Sequence, residues 1–278
     1  AFDSIQKLIY ENNESKKYLK AYTKQKEETE AFQTYFEKES EGLIVNDFIS
    51  AYRRTLSETP FNNKIEYLDY LTKTYLNSID FQNENLRNSS FIIDRLNEYV
   101  FDLNEAIAAK KNTKLDVKMI DMALEKIDSS EFKDEIIYSL TSGAFDPYSS
   151  RYDVLLNYLF ETRYNTLPET IKNKDFTEMA ENKLKVIVGK KAPNIILAES
   201  NLYQIESENT LVIFWSTTCS HCLKEIPEVY EMLKENKDYK VVLVGLEEIY
   251  SDWETVILKF PEWTHLRANG KWDNEYAK

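Results

Sequence analysis

Histidine and cysteine are scarce: the 278 residues hold two of each. A structural zinc site asks for four ligands, usually Cys and His, and the supply here is Cys219, Cys222, His221 between them and the distant His265. Three ligands within four consecutive residues can hardly surround one ion in a tetrahedron, so zinc would need carboxylates or a second chain to complete it. Glycine and proline are also few, five and six, which argues against long disordered stretches. Positive charge is in deficit. Against 48 acidic residues stand 35 basic ones, a net charge of -13, the wrong sign for affinity drawn from neutralising phosphates. No nucleic-acid partner is expected. No apolar run approaches the roughly 20 residues of a membrane-spanning helix; the longest, LVIFW at 211–215, has the length of a strand. Membrane anchoring would need a segment outside these residues. The chain opens at Ala1 without a methionine, compatible with a removed signal or anchor, and the N-terminus leaves the compartment open.

With 42% hydrophobic and 13% aromatic residues, the chain has material for one large core or two ordinary ones, and two globular domains are expected. Both cysteines lie in FWSTTCSHCLKEIP, residues 214–227. As a stabilising staple the pair is weak, because the entropy a crosslink removes from the unfolded chain grows with the loop it closes, and this loop is tiny. A redox pair fits better. TLVIFW (210–215) is a continuous β-branched and aromatic run that reads as a buried strand, and STT (216–218) offers hydroxyls able to cap a helix. From Cys222 onward, Leu223, Ile226, Val229, Tyr230 and Leu233 follow helical spacing. Cys219 therefore stands at a strand-to-helix junction, where unpaired backbone N–H groups and a macrodipole of about +0.5 charge favour an anion. The anion here is a thiolate, the form that attacks disulfides, and helix N-termini lower a cysteine pKa from about 8.5 to about 3.5–7.5. Cys222, one turn further in, is placed to resolve the mixed disulfide.

This segment resembles the thioredoxin superfamily, and within it the bacterial extracytoplasmic thiol-disulfide reductases of the TlpA type. The resemblance rests on Phe214 and Trp215, on Cys219 and Cys222, and on Lys224, Glu225 and Pro227, the last matching the proline that kinks the first thioredoxin helix. GKKAPNIIL (189–197) looks like the entry strand of such domains, NLYQI (201–205) like the connection that follows, and KVVLVGLEE (240–248) like the next parallel strand. GKWDNEYAK (270–278) resembles the segment leading to the cis-proline strand. The likeness implies a disulfide reductase acting on protein thiols or disulfides with an upstream reductant, on the periplasmic side, free or lipid-anchored, with no cofactor and no metal. Three features depart from the pattern. Ile213 occupies the place, six residues before Cys219, where cytoplasmic thioredoxins carry an acid, and Glu225 is the substitute proton acceptor that the family position suggests; its alternative is a solvated helix carboxylate. Thr218 replaces a tryptophan that often precedes the first cysteine. The sequence stops at Lys278, before the cis-proline strand, the last strand and the last helix. The resemblance therefore implies a C-terminally truncated thioredoxin-like α/β domain with feeble insulin reduction, its LVIFW edge covered by another segment or molecule or held in a loosely packed domain.

His221 beside the helix start, when protonated, would stabilise the Cys219 thiolate and make the couple more oxidising; the alternative is an exposed histidine without a role. His265, in PEWTHL, has no partner in the sequence and reads as structural. Residues 1–186 carry no cysteine and little β signal, and amphipathic stretches predict an all-α helical domain ahead of the thioredoxin-like domain at 187–278. Two apolar stripes lie in the first forty residues, with Gly42 a natural stop. Further helices are expected over 43–56, 64–77, 90–110, 115–128, 131–141, 150–163 and 168–185. Stretches 70–100 and 186–193 loosely resemble the helical region that precedes TlpA-like domains in multidomain Bacteroidetes proteins, with substrate presentation or dimerisation as its guessed role. A peroxiredoxin would want proline seven residues before the reactive cysteine, where Val212 stands, although Ser216 fits the Thr/Ser place. The other alternative is a helical scaffold or binding protein whose thioredoxin-like part is a non-catalytic interaction module.

Overall fold

The computed structural model describes residues 2–12, 15–103, 113–197, 200–274 and 276–277. The chain combines many helices with a small parallel sheet and divides into two compact units, Ala1–Val188 and Gly189–Lys278.

In the first unit the described regular elements are helical: α1 (Phe2–Asn12), α2 (Ser15–Glu39), α3 (Val45–Ala51), α4 (Lys64–Thr74), α5 (Glu84–Arg87), α6 (Phe91–Asn97), α7 (Thr113–Glu125), α8 (Ser130–Ala144), α9 (Asp153–Thr162) and α10 (Lys174–Lys185). The starts follow side-chain caps. Asn63 accepts from the Ile65 amide at 2.7 Å, and Asn173 from the Phe176 amide at 2.9 Å, each satisfying a donor that the first helical turn leaves unpaired. The Asn173 cap is why the last helix begins six residues later than the periodicity predicts. The helix expected over 43–56 ends at Ala51 because the arginines after it are taken up elsewhere: Arg53 pairs with Glu37 and Arg54 with Asp3, while Leu56 packs from non-helical chain against buried Ile9 and Tyr22. Gly42, with φ 79, makes the turn between α2 and α3 in a backbone region that costs other residues strain. The stretch expected over 90–110 is α6 followed by one π-helical segment, Glu98–Asp102; its remainder, 104–110, lies outside the described residues.

Burial of apolar stripes holds this unit together, except that the second stripe expected in the first forty residues, Phe32, Tyr35 and Phe36 on α2, stays exposed. Ile92, Leu96, Tyr99, Ile120, Ile136 and Leu155 belong to one fully buried cluster, and tyrosine serves here as core filler with a polar handle. Tyr99, for example, is buried and donates to the Thr72 carbonyl at 2.7 Å. Gln6, also buried, meets both backbone groups of Phe61, donating at 2.6 Å and accepting at 3.0 Å, so no amide group is left without a partner.

The second unit carries a hairpin of β1 (Ile196–Leu197) with β2 (Ser200–Asn201), so the entry segment contributes two strand residues. It also carries a parallel sheet of β3 (Asn209–Trp215), β4 (Tyr239–Leu246) and β5 (Thr264–Ala268), in that spatial order, with α11 (Ser220–Leu233) and α12 (Tyr250–Ile257) as the crossovers. Strand β4 is central and apolar on both sides. Val241 and Leu243 point into a cluster with Trp215, Ile226 and Phe260 beneath the helices, whereas Val242, Val244 and Leu246 join Ile195 and Leu266 on the other face. That two-sided burial is why VVLV runs without polar alternation. Strand β3 pairs with β4 alone; among the described residues no strand lies along its other edge, and Leu211 to Phe214 are only half-buried.

Candidate active site

The site grows from the carboxyl end of β3. Trp215 is fully buried and pairs in register with Gly245, which anchors the strand's last residue. A tight turn follows, in which the Cys219 amide donates to the Ser216 carbonyl at 3.0 Å and the Thr218 amide donates to Ser216 Oγ at 3.2 Å. Cys219 then adopts extended backbone angles, φ -92 and ψ 102, as the N-cap of α11. Its Sγ accepts from the Cys222 amide at 3.2 Å, the position a capping serine or aspartate oxygen would take. One turn of helix brings Cys222 back over Cys219. The two are joined as a disulfide with Cα atoms 5.3 Å apart, inside the span that a disulfide bridges.

The remaining predicted residues surround this pair unequally. His221 is exposed between the cysteines, and Glu225 is half-buried one turn after Cys222, on the same helix. Pro227 sits inside α11, where it removes one backbone donor without ending the helix, which runs on to Leu233. His265 lies apart from the pair, on β5: burial lowers its pKa, and its Nε2 donates to the Phe260 carbonyl at 2.8 Å. Among the described residues no group of three or more His, Cys, Asp and Glu is arranged to hold a metal ion, and no helix is long and apolar enough to cross a membrane.

One residue escaped the sequence reading. Glu247, directly after β4, is 2% exposed, and its carboxylate accepts from both the amide and the hydroxyl of Thr217, the latter at 2.9 Å. The signal available was an acid abutting an apolar strand in KVVLVGLEE, which reads equally well as the first solvated residue of a loop.

Chemically the arrangement can hold a thiolate at a helix N-terminus and close it reversibly onto a second thiol one turn away. Comparison with family models, curated proteins and solved structures finds no match to the chain.

Proposed function

We propose that the chain is a thiol-disulfide oxidoreductase of thioredoxin-like, TlpA-like type, working as a disulfide reductase through Cys219 and Cys222. The observation that carries the reading is Cys219 as the N-cap of α11, bonded to Cys222, at the carboxyl end of a parallel strand. In the reduced protein the Cys219 thiolate attacks one sulfur of a partner disulfide; a Cys219–partner bond forms, the partner S–S bond breaks, and one partner thiolate leaves. Cys222 then gives up its proton, with Glu225, one turn along the same helix, as the candidate acceptor, and its thiolate attacks Cys219 Sγ. The mixed disulfide breaks, the second partner thiolate leaves, and the Cys219–Cys222 disulfide remains. Two electrons pass to the partner, and an upstream dithiol restores the pair. No cofactor takes part in these steps.

An extracytoplasmic setting belongs to the same reading, on family resemblance alone. Poising the protein in dithiothreitol buffers and trapping free thiols by alkylation tests the function. Two cysteines that titrate together as one two-electron couple support it. Cysteines that stay locked in either state across the accessible range, or that oxidise only between molecules, overturn it.

A further inference from the structure

Backbone bookkeeping isolates a group that the proposed chemistry does not yet use. Strand β3 ends at Trp215, so the Thr217 amide has left the ladder that satisfied its neighbours, and a backbone donor in that position needs another acceptor. The acceptor is the Glu247 carboxylate, which also takes the Thr217 hydroxyl at 2.9 Å. Glu247 is itself fixed, because its amide donates to the Ala268 carbonyl at the end of β5 at 3.1 Å. One residue thus ties together the carboxyl ends of all three strands.

Keeping a carboxylate 2% exposed is expensive, since burial penalises the charged form. The Thr217 amide and hydroxyl are the donors that offset this cost. Thr217 in turn lies inside the turn whose Ser216 carbonyl holds the Cys219 amide. We infer that Glu247 is a positioning residue for the redox pair: by gripping Thr217 it fixes the strand-to-helix turn that delivers Cys219 Sγ to the Cys222 amide. The inference rests on the oxidoreductase reading above and adds to it a residue at the end of a different strand, whose carboxylate bonds Thr217.

The test compares Glu247→Gln with Glu247→Leu. Both remove the charge and keep the volume, but only Gln retains an acceptor for Thr217, so their difference isolates the hydrogen bonds from the electrostatics. The readout is the pH profile of Cys219 alkylation in the reduced, folded protein. If a loosened turn weakens a hydrogen bond to the thiolate, the Leu profile should lie about one pH unit above the Gln profile, roughly tenfold slower on its acid side. The urea midpoint of the Leu variant should also fall below that of the Gln variant, because the Thr217 amide and hydroxyl lose their acceptor; a residue that merely supported the fold would move the midpoint and leave the profile in place. Coincident Gln and Leu profiles, with a reversible couple in the unaltered chain, overturn this inference alone. Absence of any reversible couple in the unaltered chain overturns the oxidoreductase reading with it. Should the Leu variant not fold, Thr217→Val removes the hydroxyl from the opposite side, and a profile unshifted from the unaltered chain overturns the inference equally.

Discussion

Selective alkylation of Cys219 is the sharpest consequence of its place in the helix. When the disulfide is reduced, the Cys219 thiolate keeps the Cys222 amide as a donor, 3.2 Å away in the oxidised form, and sits at the positive end of α11. A hydrogen bond to a charged group contributes about 1.5–3 kcal/mol and the helix terminus about 0.3–1 kcal/mol, so the two together favour the thiolate by about 2–4 kcal/mol. At about 1.4 kcal/mol per decade, that enriches the thiolate roughly 30- to 700-fold over an ordinary thiol. Reactivity gains less, because a stabilised thiolate is a poorer nucleophile; with a Brønsted slope of about 0.4–0.5, only about half of the exponent survives. The net expectation is a preference for Cys219 over Cys222 of about tenfold near pH 5, where both thiols are mostly protonated. The preference should shrink as the pH approaches about 9, where thiolate population no longer distinguishes them. Both cysteines fall between Lys191 and Lys224, hence in one tryptic peptide. A brief pulse of iodoacetamide should therefore be followed by a heavy label and read from fragment ions. Equal labelling at pH 5, or Cys222 labelled first, would refute the reasoning. A ratio that stays constant with pH would attribute the preference to access alone.

Glu225→Gln should slow resolution of a Cys219 mixed disulfide while leaving the first attack nearly unchanged, as stopped-flow mixing with an aromatic disulfide would resolve; an unaltered second phase returns Glu225 to a solvated helix carboxylate. Gly245→Ala places a Cβ 2.3 Å from Nε1 of the Trp253 indole, a rigid ring that has to withdraw by about an ångström, so overpacking should cost about 1–3 kcal/mol. Urea unfolding followed by tryptophan fluorescence checks it, and an unchanged midpoint would mean that Trp253 does not lie on β4. In the helical unit, burial works to raise the Asp3 pKa, but the Arg54 guanidinium, bonded at 2.7 and 3.0 Å, outweighs it and leaves the carboxyl below its usual range. A lowered folded value means stability that is present above the unfolded carboxyl value of about 3.9 and lost as the pH falls through the folded one. The urea midpoint of the unaltered chain should thus converge on that of Asp3→Asn below about pH 4, and parallel curves would contradict the pairing.

Periodicity made most of the helical unit legible because most amphipathic stripes had a core to face, although Phe32, Tyr35 and Phe36 on α2 stay exposed and the Asn173 cap moves the start of α10 beyond the predicted one. It failed where long-range pairing overrode local preference. Residues 52–56 continue an apolar rhythm, yet Arg53 and Arg54 are drawn to Glu37 and Asp3, and the chain leaves the helix to follow them. The short α5 was invisible for another reason: four residues give no period to read. In the sheet, VVLV and LVIFW were legible as strands, but their difference in burial was not. Composition reports that a strand is apolar without telling how many neighbours it has, and β4 lies between two strands while β3 has one.

The candidate site divides along the same line. Its two sulfurs were legible because a C-x-x-C at a helix start is a purely local device: one helical turn sets their separation, and the first free amides supply the donor. What aims that device is non-local. Trp215 is locked into the core beneath the helices, Gly245 leaves room on β4 for the Trp253 indole, and Glu247 reaches back from the end of β4 to Thr217. Each of these depends on the register between β3 and β4, in which Trp215 faces Gly245, and a one-residue slip would turn every side chain of a strand to the opposite face. Reactivity at Cys219 is therefore tied to strand pairing more than ten residues away in sequence, although both reacting atoms lie within one turn of α11. Substitutions in β4 should alter the chemistry of the pair without touching either cysteine, whereas the solvent-facing side of α11 beyond Pro227 should tolerate change.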